Sequence, residues 1–134
     1  MRGGFLLGLW DPTPEHEPSA LDLSVLESRR GPQEDGEPDK LARIVGLFID
    51  DVPLRLEELW LAVERGEAQR VEETAHMLKG GSGYMGAVHM AEICGGLQGL
   101  GASGELSRAP ELLDALEAEF NRIRPALESR LGKP

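Results

Sequence analysis

Apolar residues recur at Leu41, Val45, Phe48, Val52, Leu56, Leu59 and Val63, in steps of three and four that place them on one face of an α-helix. The stripe predicts a long amphipathic helix from Pro38, a residue suited to a first helical turn, to Gly66, a residue suited to ending one. Pro53 falls inside it and removes one backbone donor, which predicts a kink near Ile49 to Val52 rather than a full stop. The same spacing sets Val71, Ala75, Leu78 and Ser82 on one face of a third helix from about Glu67 to Gly83. Met90, Ala91, Cys94 and Leu97 point inward from a fourth, over Ala87 to Leu100. Leu113, Leu116, Phe120, Ile123 and Leu127 do so from a last helix over Ala109 to Leu131, whose final turns Pro125 should bend. A short first helix is expected from Leu21 to Arg29, because Ser19 and Asp22 have capping-box spacing ahead of Leu23 and Leu26. Arg30 to Glu37 reads as a loop.

Nothing alternates with period two over the length of a strand, and only six residues are aromatic. Four long amphipathic helices with short connections pack most simply as an all-α, antiparallel up-down four-helix bundle, the short extra N-terminal helix lying across one end. Residues 21–131 make up that bundle, and 132–134 a C-terminal tail. Residues 1–20, with three of the nine prolines, read as a flexible N-terminal tail. Its apolar run from Phe5 to Trp10 is too short to span a membrane, which takes about 20 residues, and makes a poor secretory leader with Asp11 and Pro12 following at once.

Composition narrows the function. A chain of 134 residues can bury a core without disulfides or metal, but this one has no room for a nucleotide-binding catalytic domain beside the bundle. With 24 acidic and 14 basic side chains the formal charge is −10, which argues against a nucleic-acid partner, since phosphate backbones are held by clustered Lys and Arg. A single cysteine, Cys94, on an apolar stripe, reads as a small core residue and fits a reducing cytoplasm.

The chemistry is concentrated in Ala75 to Ala87, AHMLKGGSGYMGA. At about 100° per residue His76 lies roughly 140° from the core stripe and so faces solvent, with Gly80 and Gly83 following on its own face. Two glycines cost such a helix about 2 kcal/mol against alanines, so stability gives no reason for them. A bare surface beside an exposed histidine does, because a partner's backbone can then approach the ring. A neutral imidazole is a nucleophile, and a free ring nitrogen there could accept a group from the partner. Lys79, one turn from His76, is spaced to neutralise an anion arriving at the ring or attached to it, such as a phosphoryl group.

Ala75-His76-Met77-Leu78-Lys79-Gly80, then Gly86-Ala87, Met90, Cys94 and Leu97-Gln98, resembles the histidine-containing phosphotransfer (HPt) domain family. Leu21-Asp22, the run Phe48-Ile49-Asp50-Asp51-Val52-Pro53 and the final amphipathic helix extend the likeness over about residues 21–131. The resemblance implies a phosphorelay intermediate that accepts a phosphoryl group on His76 from a receiver-domain aspartyl phosphate and passes it to another receiver. It implies that Lys79 steadies the phosphoryl, that Gln98 hydrogen-bonds the imidazole or the phosphoryl, and that Gly80, with Gly83 beside it, leaves room for the docking receiver. The implied partners are receiver domains of hybrid histidine kinases and response regulators. No cofactor is expected on this chain, Mg²⁺ being supplied by the receiver, and no ATP-dependent kinase activity, since no glycine-rich phosphate loop follows a strand. A monomer is expected.

The sequence also departs from the family. Gly81 stands where Ser or Ala is common, and Gly95, Gly96, Gly99 and Gly101 make the fourth helix glycine-rich, so that it is expected to stop near Gly99. Lys79-Gly80-Gly81-Ser82-Gly83 is also similar to the phosphotransfer module of chemotaxis-type kinases, while Cys94 and Leu97-Gln98 fit the free-standing relay type better. A docking-only helical module is the competing reading. A metal centre is disfavoured: Glu73-x-x-His76 has di-iron spacing but occurs once, with His76 facing outward. His16 and His89 read as solvated, the Asp50-Asp51 pair as a solvated bend, and Tyr84 and Met85 as residues that frame the docking surface or close the bundle end.

Overall fold

The computed structural model describes residues 21–32 and 39–131, and every regular element within them is an α-helix: α1 (Leu23–Ser28), α2 (Lys40–Glu64), α3 (Ala68–Tyr84), α4 (Val88–Ser103) and α5 (Ala109–Glu128). The tails at 1–20 and 132–134, with His16 and the Phe5 to Trp10 run, lie outside the described residues, as does most of the 30–37 loop. The connections at 65–67, 85–87 and 104–108 are too short for anything but antiparallel neighbours. α2 packs on α3 and α5, and α4 packs on the same two, which closes the four long helices into the expected bundle.

The periodic apolar positions form its core. Leu41, Leu59, Val71, Met90, Leu97, Leu113, Leu116 and Leu127 are fully buried, and Phe48 meets Phe120 edge to face at 6.2 Å, joining α2 to α5. Val63 and Ala91, expected inside, are half-buried, as is His89, expected in solvent. α2 runs unbroken through Pro53.

Several helix ends differ from the sequence reading, and each difference comes from a cap. α2 begins at Lys40 because the Asp39 carboxylate accepts the Ala42 amide, which makes Asp39 the N-cap. α1 is likewise capped by Asp22, which accepts from the Ser24 and Val25 amides; Ser19, the other half of the expected capping box, lies outside the described residues. α4 continues past Gly99 to Ser103, because the residue that turns left-handed is Gly104, at φ 79°. α5 ends at Glu128, three residues short of Leu131, with Ser129 as its C-cap. Gly66 closes α2 as expected: at φ 69° it donates to Val63 O while the Glu67 amide returns to Ala62 O.

α1 covers the end of the bundle that carries the α3–α4 turn. Leu21 and Leu26 are buried there, and the Asp22 amide donates to Gly86 O at 2.7 Å. Arg29 Nε donates to Tyr84 O at 2.8 Å while its guanidinium lies 4.0 Å from the Tyr84 ring centre. Arg30 reaches Asp39 at the start of α2, and Arg130 after α5 reaches Glu27. Gly86 is required twice over. It sits at φ 78°, and a Cβ there would lie 2.6 Å from Asp22 O. Met85 is buried and closes this end, while Tyr84 is exposed under Arg29.

Candidate functional site

His76 projects from the middle of α3, two residues before the buried Leu78 and one after the buried Ala75, so helical phase turns its ring outward. It is exposed and forms no hydrogen bond or ion pair with any other described residue. An imidazole with no internal partner keeps both ring nitrogens available. Gly80 and Gly83 are exposed on the following turns, and a Cβ added to either would meet nothing within 4 Å.

α4 supplies the other wall. His76, Gln69, Glu72 and Glu73 from α3 line one open groove with Gln98 and Gly101 from α4. Gln98 is half-buried and lines the groove that His76 opens into, and its Oε1 is buried without a hydrogen-bond partner. No hydrogen bond joins Gln98 to His76 in this state. Lys79 lies across the α3–α4 seam instead of lining the groove. Its Cδ, Cε and Nζ come within about 4 Å of where a Cβ on Gly95 would stand. The structure therefore brings His76 and Gln98 into one groove, puts Lys79 one turn further along the seam, and leaves Gly80 and Gly83 as bare surface beside them.

The groove exists because two helices approach closely at Gly101. This glycine is buried, and a Cβ on it would fall 2.5 Å from Glu72 N and 2.8 Å from Ala68 O. From sequence alone Gly101 is only one of an excess of glycines in its helix. Its role follows from which helix faces it, which spacing along one helix does not reveal. Gln69, Glu72 and Glu73 went unremarked as groove residues too, although Glu72 and Glu73, at four and three residues before His76, carried the signal. Asp50 is exposed on the outer face of α2, and Asp51 is ion-paired with Arg55. Among the described residues no group of three or more His, Cys, Asp or Glu side chains converges as a metal site would need. Cys94 is buried in the core, where loss of solvent pushes its thiol up to about 12, a rise the Ser82 hydroxyl offsets in small part.

The Hpt domain family model matches residues 43–126, which include all of α3 and α4 and most of α2. The chain belongs to the Hpt domain family. This Hpt domain is similar to a solved structure, the histidine-containing phosphotransfer protein B of Pseudomonas aeruginosa PAO1, with 35% identity and a TM-score of 0.77 over 86% of this chain and 96% of that one. It is also 32% identical over 77 residues to histidine-containing phosphotransfer protein 5 of Arabidopsis thaliana, a match covering 55% of this chain and 48% of the relative. The chain thus spans about half the length of that curated relative. Membership places the Hpt domain among the histidine phosphotransfer proteins of phosphorelays. No helix among the described residues is long and apolar enough to cross a membrane.

Proposed function

We propose that this Hpt domain is a phosphorelay intermediate whose acceptor is His76: it takes a phosphoryl group from the aspartyl phosphate of one receiver domain and gives it to the aspartate of another. The observation that carries the reading is the site itself, an exposed and unpartnered imidazole flanked by glycines that leave open surface, beside the unfilled Gln98 acceptor. The lone pair of an unprotonated ring nitrogen forms the N–P bond as the O–P bond of the acyl phosphate breaks. The electron pair returns to the carboxylate, and the proton stays on the other ring nitrogen. Gln98, from the α4 wall of the same groove, hydrogen-bonds the imidazole or the phosphoryl group and so orients it. Lys79 supplies positive charge to the phosphoryl oxygens from the seam at Gly95. Gly80 and Gly83 let the receiver's loops close on the ring, and the receiver brings the Mg²⁺. The protein acts stoichiometrically as a monomer in the cytoplasm, with receivers of hybrid kinases and response regulators as partners and no kinase activity of its own.

Intact-mass spectrometry after mixing with pre-phosphorylated receiver domains tests this. The wild type is expected to gain one acid-labile, alkali-stable phosphoryl group and His76→Gln none. Equal gain by His76→Gln would move the acceptor elsewhere. No gain from any active receiver would leave a docking module.

A further inference from the structure

The surroundings of His76 are electrically lopsided. Helical neighbours at three and four residues stand about 5–6 Å apart at Cβ, so Glu72 and Glu73 adjoin the ring on its N-terminal side and Lys79 on its C-terminal side. Some carboxylates on the other helices are neutralised, Asp51 and Glu58 by Arg55, Glu119 by Arg122 and Glu128 by Arg124, while others such as Asp114 are not, so what distinguishes Glu72 and Glu73 is their place beside the ring. Glu72 and Glu73 pair with no cation. Glu73 is held by Gln69, whose Nε2 donates to Oε2 at 3.0 Å, an amide that fixes the carboxylate and leaves its charge. Both glutamates line the same groove as His76 and Gln98, while Lys79 rests over Gly95 on the far side of the ring.

We propose that Glu72 and Glu73 are the repulsive half of the phosphoryl site: they press the phosphoryl group toward Lys79 and the bare Gly80–Gly83 end, and they make the phosphohistidine a better donor. This rests on His76 being the acceptor. A phosphoryl group carries about −1.5 to −2 charges near neutral pH, so two negative neighbours within a helical turn raise the free energy of phosphorylated His76 and leave the unmodified ring unpenalised. Glu72 and Glu73 act as positioning residues, through charge alone. Their effect therefore lies on an equilibrium constant, which a fault in docking would not move.

The test uses the full chain and Glu72→Gln, Glu73→Gln, the double variant, Glu73→Asp and, as a charge control on α5, Asp114→Asn. His76 is loaded with phosphoramidate, the donor is removed, and the lifetime of the phosphohistidine is followed by intact mass. The partition of phosphoryl between the domain and a receiver is then measured at equilibrium. The double variant is expected to lengthen the lifetime and to shift the partition toward His76 by roughly tenfold, about threefold per charge, with the gap narrowing as salt is raised. Glu73→Asp should stay near wild type and Asp114→Asn should change nothing. Partition and lifetime within twofold of wild type in the double variant, or an equal shift in Asp114→Asn, would overturn the proposal. If phosphoramidate loads His76 but no receiver exchanges with it, the relay reading fails while the lifetimes still decide the role of the glutamates.

Discussion

Cys94 on α4 and His76 on α3 show how helical phase decides whether a side chain is buried or open to a partner. His76 faces open surface, and its neighbourhood was legible in the sequence because Lys79 and Gly80 follow it at three and four residues, a spacing that the helix alone converts into adjacency. Gln98 was reachable only through family likeness, since its place beside His76 depends on how α3 and α4 pack. Glu73 enters the sequence reading only as half of a metal-like spacing with His76, and Glu72 not at all, because unpaired charge on a helix normally marks a solvated face. Cys94 sits on the apolar stripe, and burial moves its thiol from an ordinary 9.0 up to about 12. Two outcomes follow. Iodoacetamide at pH 8 should leave Cys94 unmodified in the folded protein and alkylate it once denaturant is added, as read by mass. The raised value also favours the folded state while the unfolded thiol is neutral. That contribution is complete below pH 9 and is lost as pH rises toward 12, so alkaline melts of Cys94→Ala should fall less steeply across this window than those of wild type.

Among the elements, α4 departs furthest from what its sequence suggests, and its glycines sort by what faces them. Gly99 would meet nothing within 4 Å if given a Cβ, so Gly99→Ala should stabilise the protein by up to about 1 kcal/mol through helix propensity alone. Gly101 lies against the α3 backbone at Glu72 and Ala68, so Gly101→Ala should cost about 1–3 kcal/mol as the helices are forced apart. The same separation would widen the groove between His76 and Gln98. Thermal melts of the two variants should therefore move in opposite directions, and phosphoryl uptake should fall in Gly101→Ala alone. The bundle was legible because its apolar period is long and regular, and Gly66 marked the end of α2, whereas several other ends were not legible, because caps act through single side chains. Asp22, held below the usual aspartate range by the Ser24 hydroxyl and the Val25 amide, starts α1. Asp39, held low by the Ala42 amide and Arg30, starts α2. Both caps have depressed values in the fold, so their stabilisation is present above about pH 3.8 and is lost as pH falls below it. Helicity followed by circular dichroism through acid titration should drop at lower pH in wild type than in Asp39→Ala. Coincident curves would show that the cap contributes nothing.

For the whole molecule, the question is how a chain of charge −10 accepts still more negative charge. At physiological ionic strength, interactions between exposed charges are largely screened beyond about 8 Å, so a phosphoryl group on His76 would respond chiefly to charges close to the ring. On α3 these are Glu72 and Glu73 within a turn on one side, against Lys79 on the other. The ion pairs that tie the bundle together lie elsewhere: Arg30 to Asp39, Arg130 to Glu27, and Arg70 to Glu58 between α2 and α3. The core contributes nothing to the exposed ring, and the ring contributes nothing to the core. Phosphorylation should therefore lower global stability only by the repulsion of Glu72 and Glu73 less the pull of Lys79, with the melting temperature of phosphoramidate-loaded protein no more than about 5 °C below the unloaded form, since about 1 kcal/mol corresponds to several degrees in a domain of this size. A drop of more than about 5 °C would mean that the phosphoryl group reaches the packing between α3 and α4. In that case the added charge would be read as a loosening of the bundle, and not only as a chemical mark on its surface.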